Sequence, residues 1–281
     1  NTWVDFVGSR SYVVRLKQPV YQEKIQANLI RVLCNAEVKT FGSDNQLKIT
    51  TNYKVDTDSS DVDEEINNIL YADLTEFMSE NISFEEFIVN GDENKQAGIM
   101  SAIKVGPTIA DDIKKNSFYA VFGSLIIVFL YILLRFKNWQ FSLGAVSAVF
   151  HDVLVVLGIF SLTYSFMPFN MEINQAFIAA VLTVIGYSLN DTVVVFDRIR
   201  EYRNIHTSWE LPRIVDSALN STLSRTLNTS FTTLVVLVSI FIFGGESIRG
   251  FMFALIVGVL IGTYSSVFVA TPVMYDTLKK K

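Results

Sequence analysis

The chain has 281 residues, half of them hydrophobic, with a formal net charge of −5 and a mean hydropathy of +0.35. That hydropathy excludes an ordinary soluble domain of this length, and a single cysteine, Cys34, excludes an intrachain disulfide, a thiolate metal cluster or a redox pair. Residues 1–116 carry 12 Lys and Arg against 19 Asp and Glu, whereas residues 117–281 carry 11 against 9, so an acidic part suited to water precedes an apolar part suited to lipid.

In chain order, "SYVVRL" (11–16) alternates and is β-branched, which predicts a strand. Pro19 then opens a helical stretch with Ile25, Leu29, Val32 and Leu33 on one face. "EVKTF" and "QLKITTNY" read as two strands around the turn "GSDN". A second helix is expected from Ser59–Ser60, where "SSDVDEE" supplies a cap and first-turn acids, with Ile66, Ile69, Leu70 and Leu74 as its apolar positions to about Met78. "VNGDEN" reads as a turn, and "GIMSAIKV" as a last strand before Gly106-Pro107. The order β-α-β-β-α-β predicts a ferredoxin-like α+β domain over 1–106, a fold that hosts many functions. The domain has no histidine, and its acidic run from Asp56 to Glu65 is simpler as a solvated helix start than as a metal site. No metal, cofactor or nucleic-acid partner is expected.

Residues 107–281 form the predicted membrane domain. Apolar spans are expected at about 117–136, 141–165, 174–197, 225–243 and 250–272, each near the ~20 residues a bilayer core requires. An amphipathic helix at about 210–223 (Ile214, Val215, Ala218, Leu219, Thr222) would lie along the cytoplasmic surface. The fold class is thus an α-helical multi-pass membrane protein with an N-terminal extracytoplasmic α+β domain. Arg135 and Lys137 follow the first span, Arg198, Arg200, Arg203 and Arg213 follow the third, and Lys279, Lys280 and Lys281 follow the fifth. The alternate connectors hold one basic residue between them, so these basic ends are cytoplasmic and residues 1–116 lie outside. An outer domain in that position needs something to carry it across, so a further helix is expected upstream of Asn1.

Ionisable residues inside spans are functional candidates, because each needs a partner or a wet cavity. Asp191, beside Asn190, sits about 9 Å along its helix from Asp197. Tyr187, Ser188 and Asp191 share one face, and Ala179, Thr183, Gly186 and Asn190 form a small or polar stripe beside it. Asp191 is either functional or a cap near the interface. Arg225 heads a polar stripe with Asn228, Thr229 and Thr232, and is either a partner for Asp191 or a headgroup anchor. His151-Asp152 suits a proton relay or, equally, a hydrogen-bonded pair that locks two helices. In the last span Ala254, Gly258, Gly262, Ser266 and Ala270 recur every four residues, a seam for close helix packing. No phosphate loop or nucleophile motif appears, which argues against an enzyme and against ATP-driven chemistry.

"GYSLNDTVVVFDRIRE", "LNSTLSRTLNTSFTTL", "FGGESIRGF", "GVLIGTYSSVFVA", "HDVLVVLG" and "VGPT" closely resemble the SecF family of protein-export subunits, over all of 104–281. "VDFVGSR" resembles that family's N-terminal motif, with Trp3 and Ser9 where the motif has glycines. The resemblance implies a member of the resistance-nodulation-division superfamily, in the bacterial cytoplasmic (inner) membrane, with a first helix preceding this motif. It implies work with SecD, separate or fused upstream, beside the SecYEG channel, on unfolded preproteins after SecA has acted. It further implies use of the proton motive force in late-stage translocation, with Asp191 and Arg225 as the essential pair. The alternative is a proton-coupled lipid or drug efflux transporter of the same superfamily, which would need an apolar pocket in the outer domain.

Overall fold

The computed structural model describes residues 8–18, 22–33, 36–57, 59–78, 82–89, 97–164, 166–167, 169, 171 and 173–279. The helix start at Pro19, Cys34, most of "VNGDEN", Trp3, Lys280 and Lys281 lie outside the described residues. By its contacts the chain divides into two units, one of residues 1–116 with 167–175 and 245–250, the other of 117–166, 176–244 and 251–281.

The first unit has strands β1 (Ser9–Arg15), β2 (Ala36–Phe41), β3 (Ser43–Thr51) and β4 (Gly98–Val105), and helices α1 (Gln22–Leu33), α2 (Ser60–Leu74) and α3 (Phe84–Ile88). The sheet order is β2-β3-β1-β4 with every pair antiparallel, which is the predicted ferredoxin-like arrangement. Alternation puts Tyr12, Val14, Val38, Leu47, Ile49 and Ile99 into one core with Ile25, Leu29, Leu33, Ile66, Leu70 and Leu74 of the helices. Val32 departs from expectation at 50% exposure, because the buried stripe of α1 follows only the i, i+4, i+8 row. The short helix α3 was not foreseen; Ser83 and Glu86 close it with a capping box, and Phe87 packs against the Tyr71 ring.

Helix α2 starts where its cap predicts, with the Ser59 hydroxyl accepting from the Asp61 N–H at 3.2 Å. Its acids are solvated, as the sequence suggests, and two of them also hold cations. Asp63 pairs with Arg10, a strand residue only 1% exposed that also donates to the Thr57 carbonyl at 3.0 Å. Glu65 takes Lys54 at 2.6 Å and the Tyr53 hydroxyl at 2.9 Å. Gly8, at φ +84°, packs so closely on Pro107 that a Cβ would stand 3.1 Å from the Pro107 nitrogen. The "VDFVGSR" and "VGPT" motifs therefore meet, and it is Gly8 that needs the left-handed backbone.

The second unit contains most of α4 (Pro107–Phe136), then α5 (Trp139–Thr163), α6 (Gln175–Ile205), α7 (Leu211–Phe243), α8 (Glu246–Ser265), a π-helical turn (Ser266–Ala270) and α9 (Thr271–Lys279). Five helical stretches, Ile109–Phe136, Trp139–Thr163, Gln175–Ile205, Leu211–Phe243 and Ile248–Lys279, are long and apolar enough to cross a membrane. One expectation is corrected. The surface helix at 210–223 and the span at 225–243 are one unbroken helix, α7, because no Pro or Gly interrupts it after Pro212 in its first turn.

The seam of small residues works by contact. A Cβ on Gly258 would fall 2.0 Å from Val184 Cγ2, and one on Gly262 would fall 3.0 Å from Ser188 Cβ, so α8 lies directly on α6. Ala254, Ser266 and Ala270 are fully buried, but Ala270 meets a different helix: a Cβ on Gly144 of α5 would stand 2.6 Å from the Ala270 carbonyl oxygen. The π-helical turn adds a residue between these contacts and so turns the seam from α6 toward α5.

Two expected outcomes follow from this packing. Gly258→Ala should destabilise the detergent-solubilised chain by about 1–3 kcal/mol through overpacking, read as a lower melting temperature, and adding Val184→Ala should restore most of the loss. In the first unit, burial pushes the Asp73 carboxyl above its ordinary 3.8, against a hydrogen bond from Asn28 and with Glu76 adding repulsion. A carboxyl raised in this way contributes stability that is present below pH 3.8 and lost as the pH rises through the folded value. Asp73→Asn should therefore slow hydrogen exchange in α2 at pH 7, with the difference vanishing in acid.

Candidate functional site

Two carboxylates lie inside the helices of the second unit, Asp152 at 0% and Asp191 at 3% exposure. A buried carboxylate is tolerable only where hydrogen-bond donors surround it, and the close approach of α8 to α6 brings hydroxyls within reach.

Asp152, on α5, is held by two other helices. Its Oδ2 accepts from Ser188 Oγ of α6 at 2.5 Å and from Ser265 Oγ of α8 at 2.7 Å. His151 Nδ1 stands 3.1 Å from Oδ1, while the imidazole itself is about one-third exposed. The pair thus joins a partly exposed ring to a sealed carboxylate that fastens three helices. Both sequence readings of His151-Asp152, the relay and the lock, have a geometric basis here.

Asp191 stands one turn beyond Ser188 on the same face of α6. Its Oδ2 lies 3.5 Å from Ser230 Oγ of α7, and Ser230 Oγ is 2.5 Å from Thr263 Oγ1 of α8. Either hydroxyl of the Ser230–Thr263 pair can be the donor, and Thr263 Oγ1 also lies 2.8 Å from the Val259 carbonyl. With Thr263 donating to Val259, Ser230 donates to Thr263 and keeps no proton for Asp191. That arrangement suits a protonated Asp191, which can donate to Ser230. An ionised Asp191 would draw the Ser230 proton toward itself, and Thr263 would then turn from Val259 to donate to Ser230. Two hydroxyl orientations thus correspond to two charge states. Tyr187 borders the chain, its hydroxyl 3.5 Å from Ser230 Oγ and 3.3 Å from Thr233 Oγ1.

Arg225 lies within electrostatic range of Asp191, yet no ion pair joins them among the described residues. It is exposed, as are Asn228, Thr229 and Thr232, while the opposite side of α7 buries Thr222, Thr226 and Ser230. Asn190 is also exposed and takes no part in the hydroxyl chain; with Ala179, Thr183 and Gly186 it forms the predicted stripe, which no helix of this chain covers among the described residues. Sequence reasoning missed Ser230, Thr263 and Ser265. Their only signal was a hydroxyl next to the small-residue seam or within the polar start of α7.

At the end of the bundle where α4 meets α5, Arg135 pairs with Asp197 at 2.9 Å, and Arg200 donates to the Arg135 carbonyl at 3.1 Å. The α6–α7 connection is stiffened by stacking, His206 on Trp209 with centroids 3.8 Å apart and Arg213 over the same indole.

Comparison with known proteins places this arrangement. The family "Protein export membrane protein SecD/SecF, C-terminal" matches residues 88–280. Protein translocase subunit SecF of Rhodothermus marinus is 44% identical over 274 residues, covering 97% of this chain and 82% of the relative. SecF of Thermodesulfovibrio yellowstonii is 36% identical over 277 residues, with 98% and 82% covered. Protein translocase subunit SecDF of Brucella abortus is 46% identical over 170 residues, 60% of this chain and 22% of that longer protein. Among solved structures, SecDF in its super-membrane-facing form superposes with a TM-score of 0.62 at 28% identity, over 99% of this chain; this chain spans 34% of it. Together with a four-stranded antiparallel sheet followed in the chain by five membrane-crossing helices, these matches identify a multi-pass membrane protein that belongs to the SecD/SecF family of protein-export membrane proteins, on the SecF side of it.

Proposed function

We propose that this chain serves protein export as a proton-driven subunit, in which Asp191 alternates between protonated and ionised forms. The observation that carries the reading is the Asp191–Ser230–Thr263 chain, whose hydroxyls have a satisfied arrangement for each charge state. Arg225 stands within electrostatic range of Asp191 without locking it into a contact pair. Protonation changes what α6 requires of α7 and α8, and a packed helical interface responds by moving between discrete arrangements. The energy available is adequate, since one charge crossing 100 mV corresponds to ~2.3 kcal/mol.

The partner is SecD, separate or fused upstream as in the SecDF relatives. In a bilayer the exposed polar groups of α7 and the small stripe of α6 are poorly suited to lipid, and they fit a second helical bundle laid against them. The complex would sit in the bacterial cytoplasmic membrane beside the SecYEG channel, acting on unfolded preproteins after SecA. The N-terminal unit (1–106 and the residues packed with it) would then lie outside and the C-terminus in the cytoplasm. His151 and Asp152 would transmit or stabilise the change through α5. The helix packing at Ala254, Gly258, Gly262 and Ser266 would keep the hydroxyls in reach.

The test is proton flux in vesicles containing the chain with its SecD partner. Asp191→Asn should assemble normally but reduce flux and proton-dependent export to background; unchanged flux and export would overturn the proposal. Thr263→Val, which keeps the shape and removes the hydroxyl, should slow flux several-fold, while Thr263→Ser should retain it.

A further inference from the structure

The sheet of the first unit ends in two strands of different character. β2 carries the charged pair Glu37–Lys39 at 2.9 Å, and α1 packs against it. β4 lies at the other end of the order β2-β3-β1-β4, and among the described residues no strand pairs with its far side. A bare strand edge is a template for another chain, and folded proteins blunt it with a proline, an outward lysine or a bulge. β4 has no proline, and its one lysine is turned inward, with Lys104 Nζ 3.1 Å from the Thr57 carbonyl that also takes Arg10. Its bulge comes early: Val13 faces Ser101 and Val14 faces Ile99, so Met100 is the extra residue. Beyond it, residues 101–105 run in unbroken register with residues 9–13. Ala102 and Ile103 in that run are exposed, Ile103 at 61%.

Both faces of this run are hollowed. On the helix side a cavity of about 240 Å³ reaches from Ala102 and Ile103 in to Tyr12 and Asn67. On the open side one of about 590 Å³ extends from Ile103 and Val105 across Val13 to Phe41. Ile103 borders both. A strand laid beside β4 sends successive side chains to opposite faces, one set into each hollow. An added strand is then held through its backbone and selected through its side chains. Charge points to the kind of strand. Residues 1–116 are acidic, with 12 Lys and Arg against 19 Asp and Glu. The two hollows are instead lined by Arg10, Arg15, Lys48 and Lys104 against one carboxylate among the described residues, Asp63, which Arg10 already holds.

We propose that β4 is a docking edge for an extended stretch of exported polypeptide, taken up as a further strand beside residues 101–105, with apolar and acidic side chains favoured. Exported chains differ in sequence but share a backbone, and pairing along a strand edge reads the backbone first. This role rests on the reading that the first unit lies outside, where such chains emerge, and does not depend on a proton at Asp191.

The experiment uses the full chain with a cysteine-free SecD partner, in a Cys34→Ser background that removes the one native cysteine. Ile103→Cys is compared with Val32→Cys on α1, where Val32 is 50% exposed, as a thiol of similar accessibility away from the hollows. The probe is a peptide of about ten residues, the length of a long strand, alternating valine and glutamate and ending in a cysteine activated as a mixed disulfide. Docking raises the local concentration of the probe, so the thiol at 103 should capture it at least about tenfold faster than the thiol at 32. The same peptide N-methylated at every residue keeps its side chains but has no N–H to pair with β4, and should lose that advantage. Equal capture at 103 and 32, or undiminished capture of the methylated peptide, would overturn the proposal. So would protection of the thiol at 103 by SecD or by a second copy of the chain. Capture in detergent that vanishes when the peptide is supplied outside sealed right-side-out vesicles would leave the strand edge standing and remove the outer placement instead.

Discussion

The membrane part of this chain depends on how closely α8 approaches α6. Gly258 and Gly262 leave no room for a side chain against Val184 and Ser188, and only at that separation can Ser265 and Thr263 of one helix reach the carboxylate networks of its neighbours. Lipid supplies neither water for the carboxylates nor a hydrophobic drive between helices, so packing and polar satisfaction have to be solved together. The small residues provide the distance and the hydroxyls use it.

The two buried acids are served differently. Asp152 receives two short hydrogen bonds from two helices and touches an imidazole, an environment that fixes position. Asp191 has one long contact, to a serine hydroxyl shared with Thr263, and a guanidinium in range but not in contact. One carboxylate is tied and the other is held loosely, one turn apart along α6 through Ser188. A rigid anchor beside a poorly satisfied acid is the arrangement in which a change of charge moves helices without dissolving the bundle.

Much of this was legible in the residues, and the exceptions have physical causes. Strand alternation and the i, i+4 rows of Ile25–Leu29–Leu33 and Ile66–Leu70–Leu74 carried the sheet order, and one wrong face assignment, Val32, came from reading a wide apolar stripe where a narrow one is used. Asp191 stood out because a carboxylate in an apolar run has no cheap alternative. Ser230, Thr263 and Ser265 did not, because most hydroxyls in such helices bond their own backbone, and a sequence does not distinguish those from the few that reach across. The continuity of α7 was missed for a related reason. A polar stripe giving way to an apolar one looks like two elements, whereas the backbone responds only to breakers and caps, and none lies between residues 213 and 243.

The π-helical turn at Ser266–Ala270 has a consequence for the two helices it joins. In an uninterrupted helix, the face shown to α6 at Gly258 and Gly262 would dictate the face shown to α5 farther on. The extra residue uncouples those phases, so the contact of Ala270 and Met274 with Gly144 is set independently of the contact with Val184 and Ser188. One continuous span thereby behaves as two half-spans with a rotational joint between them. Ser265, at the joint, is bonded to the carboxylate that ties α5 to α6. A change in the hydrogen bonding of Asp152 would act at the point where the last span has the most freedom to twist.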